Sequence, residues 1–67
     1  MRKVDVKGRK ISLNDLAKEL EENNLSLEDQ IEALSQVIKN GLLGEAPRVI
    51  RNWVLYHQRY GRLNSFE

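Results

Sequence analysis

Apolar positions at Val4, Val6 and Ile11 are set among polar ones over residues 3–12 (KVDVKGRKIS), and this stretch predicts a β-hairpin turning at Lys7-Gly8. A two-residue turn of this kind needs positive φ, which Gly8 adopts without steric penalty. The register then sets Val6 opposite Arg9, Asp5 opposite Lys10 and Val4 opposite Ile11. Val4, Val6 and Ile11 share one face, and Asp5 and Lys10 form an opposite-charge pair on the other. An isolated hairpin is unstable in water, so its apolar face must rest on something else.

The period changes to helical after Ser12. Ser12 is a natural N-cap, with Asp15 three residues on, and Leu13, Leu16, Ala17 and Leu20 follow at helical spacing over residues 13–22. Asn23-Asn24 ends that helix. Ser26 repeats the cap with Glu28 and Asp29 behind it, and opens a second helix over residues 27–39. On this helix Leu27, Ile31, Leu34 and Ile38 fall within about 60° of arc and form the expected buried stripe. Lys39 sits near its negative end, and Asn40-Gly41 is a left-handed stop. Leu42 and Leu43 are expected to plug the base of the core. Pro47 suits the first turn of a third helix over residues 47–60, with Gly61 as its terminator. Leu63 and Phe66 are expected to fold back as a short tail. The predicted fold is α+β and mainly helical, an N-terminal hairpin followed by a compact three-helix domain, residues 1–67 forming one domain.

The third helix carries the most information. At 100° per residue Val49, Trp53, Tyr56 and Tyr60 fall within about 60°, flanked by Ile50 and His57, and form the predicted buried face, with Trp53 in the core. Arg48, Arg51, Arg59 and Arg62 fall on the opposite side, within about 80° if the helix persists through Gly61, and Leu55 lies at their centre. Arginine offers a planar fork of donors suited to carboxylate and phosphate, and it stacks on flat rings. One reading of this face is a solvated surface. The other is an anion-facing contact in which Leu55, with no evident core duty, is the apolar centre.

Composition narrows the chemistry. The chain has 67 residues, 40% of them hydrophobic and 31% charged, which is ordinary for a globular protein and too apolar for a disordered one. The absence of cysteine excludes disulfides and thiolate metal sites, and the single histidine, His57, excludes a His cluster. His57 has no carboxylate three or four residues away and reads first as a packed or half-exposed structural side chain, with a pH-sensing or a catalytic role as lesser alternatives. Glu28, Asp29 and Glu32 make an acidic patch without the loop pattern of a calcium site. Gly41-Leu42-Leu43-Gly44 lacks the ending of a phosphate loop. The expectation is a non-enzymatic chain with no cofactor and no metal. No apolar run is long enough to span a membrane, and the charged start is not followed by the apolar core of a signal peptide, so a cytoplasmic protein is expected.

Net charge is +1, but the charges are segregated. Residues 1–12 sum to +4, residues 13–32 to −6 and residues 33–67 to +3. Such a pattern marks either a binding face or internal complementarity. Three functions fit it. The first is a small regulator acting on transcription or DNA metabolism by docking Arg48, Arg51, Leu55, Arg59 and Arg62 on a macromolecular partner, a protein being favoured slightly over DNA because net charge is low and one helix is strongly acidic. The second is a DNA-binding regulator. Three short helices, the last of them basic, resemble a helix-turn-helix in outline, and the basic hairpin residues Lys7, Arg9 and Lys10 would add phosphate contacts while Asn52 and Gln58 offer amides to base edges. The third is a homo-oligomer in which the acidic second helix of one copy meets the arginines of another.

Overall fold

A computed structural model describes residues 3–63 of the chain. Strands β1 (Lys3–Val6) and β2 (Arg9–Ser12) form an antiparallel hairpin, followed by helices α1 (Leu13–Glu21), α2 (Leu27–Lys39) and α3 (Arg48–Arg59). A short 3₁₀ turn, Leu43–Glu45, lies between α2 and α3. This is the mainly helical α+β architecture that the periodicities predict. The expected Phe66 tail contact lies outside the described residues, while Leu63 is buried.

The hairpin takes the expected register, Val6 opposite Arg9, Asp5 opposite Lys10 and Val4 opposite Ile11. Both turn residues have positive φ, 52° at Lys7 and 85° at Gly8, and the Asp5 carboxylate accepts the Gly8 N–H at 3.1 Å. Val6 and Arg9 flank the turn and exchange main-chain hydrogen bonds, so the N–H and C=O of Asp5 point away from β2. Gln36 of α2 meets both. Its Oε1 accepts the Asp5 N–H at 2.7 Å, and its Nε2 donates to the Asp5 carbonyl. One side-chain amide thus takes the place of a third strand's peptide and closes the open edge of β1. The apolar face of the hairpin lies inward, with Val4 and Val6 almost fully buried.

Each helix ends in the same way. The residue after the C-cap has positive φ (Asn23 at 58°, Gly41 at 69°, Gly61 at 74°), and the next residue's N–H returns to the carbonyl five residues back. Asn24 reaches Glu19, Leu42 reaches Val37 and Arg62 reaches His57, each at 2.9 Å. These are Schellman caps, which turn the chain sharply and bring the side chains of the two end residues together. The starts of α1 and α2 are closed by Ser12 and Ser26, whose hydroxyl oxygens accept the N–H of Asp15 and Asp29. Pro47 precedes α3 without a side-chain cap.

Two helix faces differ from the periodicity reading. On α1 the buried residues are Leu13, Leu16, Ala17 and Leu20, as expected. On α2 they are Gln30, Ala33, Leu34 and Val37, so the helix is turned by roughly 80° from the predicted stripe. Leu27 is half exposed, and Ile31 and Ile38 pack only at the margin. The physical reason is close approach. α2 is wedged between β1 and α3, and the small residues Ala33 and Val37 admit neighbours that Ile31 and Ile38 would hold off. On α3 the buried residues are Ile50, Val54 and His57, again about a quarter turn from prediction. Tyr56 and Tyr60 are exposed, and Val49 and Trp53 lie half-buried against the core. The compact Ile50–Val54–His57 stripe fills the space beside α1 and α2, and the larger rings stay outside it.

Candidate docking surface

α3 presents its outward side as one strip of guanidinium and ring. Arg48, Arg51 and Arg59 are exposed, as is Leu55 at 59%. Arg48 and Arg51 stand one turn apart and Leu55 and Arg59 one turn apart further along, with the exposed Asn52 beside them. Next round the helix come Tyr56 at 46% exposure and Tyr60 at 59%. Their ring centres are 5.0 Å apart, and Trp53 meets Tyr56 edge-on at 5.4 Å. A shallow cavity of about 230 Å³ opens between Asn52, Trp53 and Tyr56.

Arg62 is not on this strip. The predicted arc required a helix persisting through Gly61, and the helix ends at Arg59 with Gly61 in the left-handed region. The turn swings Arg62 back over the last turn of α3. Its guanidinium carbon lies 5.1 Å from the Tyr60 ring centre and 6.0 Å from that of Tyr56, and Nη1 reaches Nδ1 of His57 at 3.3 Å. The cation therefore joins the ring cluster and leaves the arginine row.

His57 is fully buried. Its Nε2 lies 3.0 Å from Oε1 of Gln30, and the Gln30 amide nitrogen donates to the Leu25 carbonyl at 3.2 Å. Burial, and then the positive charge of Arg62, hold the imidazole pKa below its ordinary value near 6.5. Of the packed and half-exposed placements read from the sequence, the structure shows the packed one.

The hairpin's cations have a different fate. Arg9 forks onto the Glu19 carboxylate, with Nη2 at 3.1 Å and Nη1 at 3.5 Å, and Lys7 reaches Asp29 at 3.2 Å. Lys10 is exposed and stands opposite Asp5 in the register. Two of the three hairpin residues read as a secondary basic site therefore bind the acidic helices of their own chain. These pairs realise the internal complementarity that the charge pattern allowed. Among the described residues neither ion pair involves Arg48, Arg51 or Arg59.

Tyr56 and Tyr60 were assigned to the core and Gln30 had no assigned role. A competing stripe, Ile50, Val54 and His57, was present in the sequence at spacings of four and three, and it is shorter-chained than the aromatic one. Gln30 carries no signal of its own, because its partner is 27 residues away. Among the described residues no three acidic, histidine or cysteine side chains converge as a metal site, and no helix is long and apolar enough to cross a membrane. No family model, curated protein or solved structure matches the chain.

Proposed function

We propose that the chain acts by binding, and that the outward side of α3 docks on an acidic surface of a protein partner. The observation that carries this reading is the row Arg48, Arg51 and Arg59, exposed and, among the described residues, without a carboxylate partner, around an exposed Leu55. Such an arrangement works against the isolated fold. Arg48 and Arg51 repel one another one turn apart, at about 0.2–0.5 kcal/mol for a helical pair. Arg48 also stands in a first turn that holds no acidic residue, where the helix dipole opposes a cation. Arg59 near the other end is favoured by the same dipole, so its position has a structural explanation of its own.

The neighbouring tyrosines strengthen the case for a protein. Tyrosine, tryptophan and arginine are the side chains most enriched at the energetic centres of protein contacts. A phosphate backbone would be met well by the arginines but would leave Leu55 and the Tyr56–Tyr60 pair without apolar cover. The net charge of +1 and the exposed Glu28 and Glu32 of α2 also weigh against a broad phosphate contact.

The test is a titration followed by amide shifts, using a peptide of alternating glutamate and leucine as one probe and a duplex DNA as the other. The peptide should move signals of α3 from Arg48 to Tyr60. Arg51→Glu with Arg59→Glu should remove that response while leaving the chain folded, with the melting temperature within about 6 °C, as for surface changes of small ΔΔG. If the peptide moves the hairpin instead, or nothing, the reading is wrong. If DNA binds with a log–log salt slope of about −0.9 per contact, over four or more contacts, the DNA reading replaces it.

A further inference from the structure

The cap that ends α3 differs in kind from the one that ends α2. In α2 the paired end residues are Val37 and Leu42, both buried and apolar. In α3 they are His57 and Arg62, which meet through ring nitrogen and guanidinium. The hydrogen bonds fix the state of the ring. Gln30 donates to the Leu25 carbonyl with its amide nitrogen, so its Oε1 faces His57, and an amide oxygen only accepts. Nε2 of His57 therefore carries the proton. Nδ1 is then a lone pair, and it accepts from Arg62, whose guanidinium only donates. Every polar atom of the buried ring is satisfied, and satisfied only while the ring is neutral.

A second proton, on Nδ1, would set donor against donor and cation against cation at 3.3 Å. Among the described residues no carboxylate is bonded to the ring to offset it. From α2 the ring meets the neutral Gln30, whose own amide nitrogen is held by the Leu25 carbonyl in the segment before α2. From α3 it meets the Trp53 and Tyr56 rings. The inward side of α1 is Leu13, Leu16, Ala17 and Leu20, while its Asp15, Lys18 and Glu21 are exposed and its Glu19 is bound to Arg9. On α2, Glu28 and Glu32 are exposed and Asp29 is bound to Lys7.

We propose that His57 is a proton-operated latch. Neutral, it holds Arg62 against Tyr56 and Tyr60; protonated, it releases Arg62 and loosens the cap that follows α3. The latch rests on the Gln30–His57–Arg62 network alone and stands whether or not α3 docks on a partner. Its output falls on Tyr56 and Tyr60, which border the arginine row, so acid would alter that edge of the surface. The sign follows from the ring's environment. An unfolded chain has an ordinary imidazole and takes the proton first as pH falls below about 6.5, while the folded chain takes it later. Stability attached to the neutral ring is present above that value and is lost as pH falls toward the lower folded value.

The experiment is an NMR titration of the 67-residue chain from pH 8 to pH 4.5, following the His57 ring, the Tyr56 and Tyr60 rings and the Leu63 methyls, with amide dispersion as the measure of global fold. The expected result has four parts. The neutral ring carries its proton on Nε2, its midpoint lies below 6.5, and the Tyr60 and Leu63 signals move with that midpoint while the amide spectrum stays dispersed. Arg62→Gln, which removes the cation and keeps a donor, moves the midpoint up. A neutral ring protonated on Nδ1 would overturn the proposal. So would Tyr60 and Leu63 signals that ignore the midpoint, an unmoved midpoint in Arg62→Gln, or a chain that unfolds as a whole before the ring titrates.

Discussion

The hairpin and α3 are the two basic regions of this molecule, and they use their cations in opposite ways. Arg9 and Lys7 each find a carboxylate of the chain's own acidic helices, Glu19 and Asp29. Among the described residues Arg48, Arg51 and Arg59 find none, although α3 packs against both α1 and α2. The helix is oriented by Ile50, Val54 and His57, and that orientation carries the three arginines to its exposed side. A cluster of like charges in a sequence therefore has no fixed meaning. What decides it is whether the core turns the cluster toward its complement or away from it.

The largest effect expected concerns the side chain that sets this orientation. Ile50→Ala removes a fully buried side chain and should cost about 2–5 kcal/mol, read by urea denaturation. If the cost is below about 1 kcal/mol, α3 does not hang on this stripe and the contrast between its two sides fails. Next is Gln36→Ala, which leaves the Asp5 N–H and carbonyl without partners and should cost about 1–3 kcal/mol. Amide exchange sharpens the test, because the hairpin should open more readily than α1 and α3. An unchanged exchange rate in β1 would mean that packing of Val4 and Val6 alone holds the strand.

These two residues also show what the sequence could and could not convey. The hairpin register was legible because a two-residue turn and an alternating pattern admit one alignment of Val4, Val6 and Ile11. Helix ends were legible because serine caps and left-handed residues act locally, as at Ser12, Ser26 and Gly61. The rotation of a helix is not local. It depends on which neighbours approach, and on α2 the small Ala33 and Val37 outweighed the bulk of Leu27 and Ile31. The same holds for the candidate surface. That Arg48, Arg51, Leu55 and Arg59 share a side is arithmetic on the sequence, whereas the exposure of Tyr56 and Tyr60 and the withdrawal of Arg62 needed packing and a chain reversal.

A smaller effect separates the two basic regions directly. Arg9→Ala should cost no more than about 1 kcal/mol, since the pair it breaks is largely exposed, and the cost should shrink as salt is raised. Replacing Arg51 by alanine should leave stability unchanged within about 0.5 kcal/mol at any salt concentration. Equal, salt-sensitive losses at both positions would mean that α3's arginines also serve the fold.

The smallest effect has the most telling sign. Arg48 lies in the first turn of α3, where main-chain N–H groups and the helix dipole make a positive end, and that turn holds no acidic residue and no side-chain cap. Arg48→Glu should therefore raise stability, by about 0.3–1 kcal/mol at low ionic strength, and the gain should fade toward 1 M salt. Removing the one-turn repulsion with Arg51 adds to the same direction. A matched pair of melting curves in 20 mM and 1 M sodium chloride reads it. The same substitution reverses a charge on the proposed docking row, so binding to an acidic probe should fall as the fold grows more stable. Gain in one and loss in the other would separate a residue kept for contact from one kept for the fold. Should Arg48→Glu instead destabilise the chain, Arg48 has an internal duty, and the contrast with Arg9 would reduce to a difference of degree.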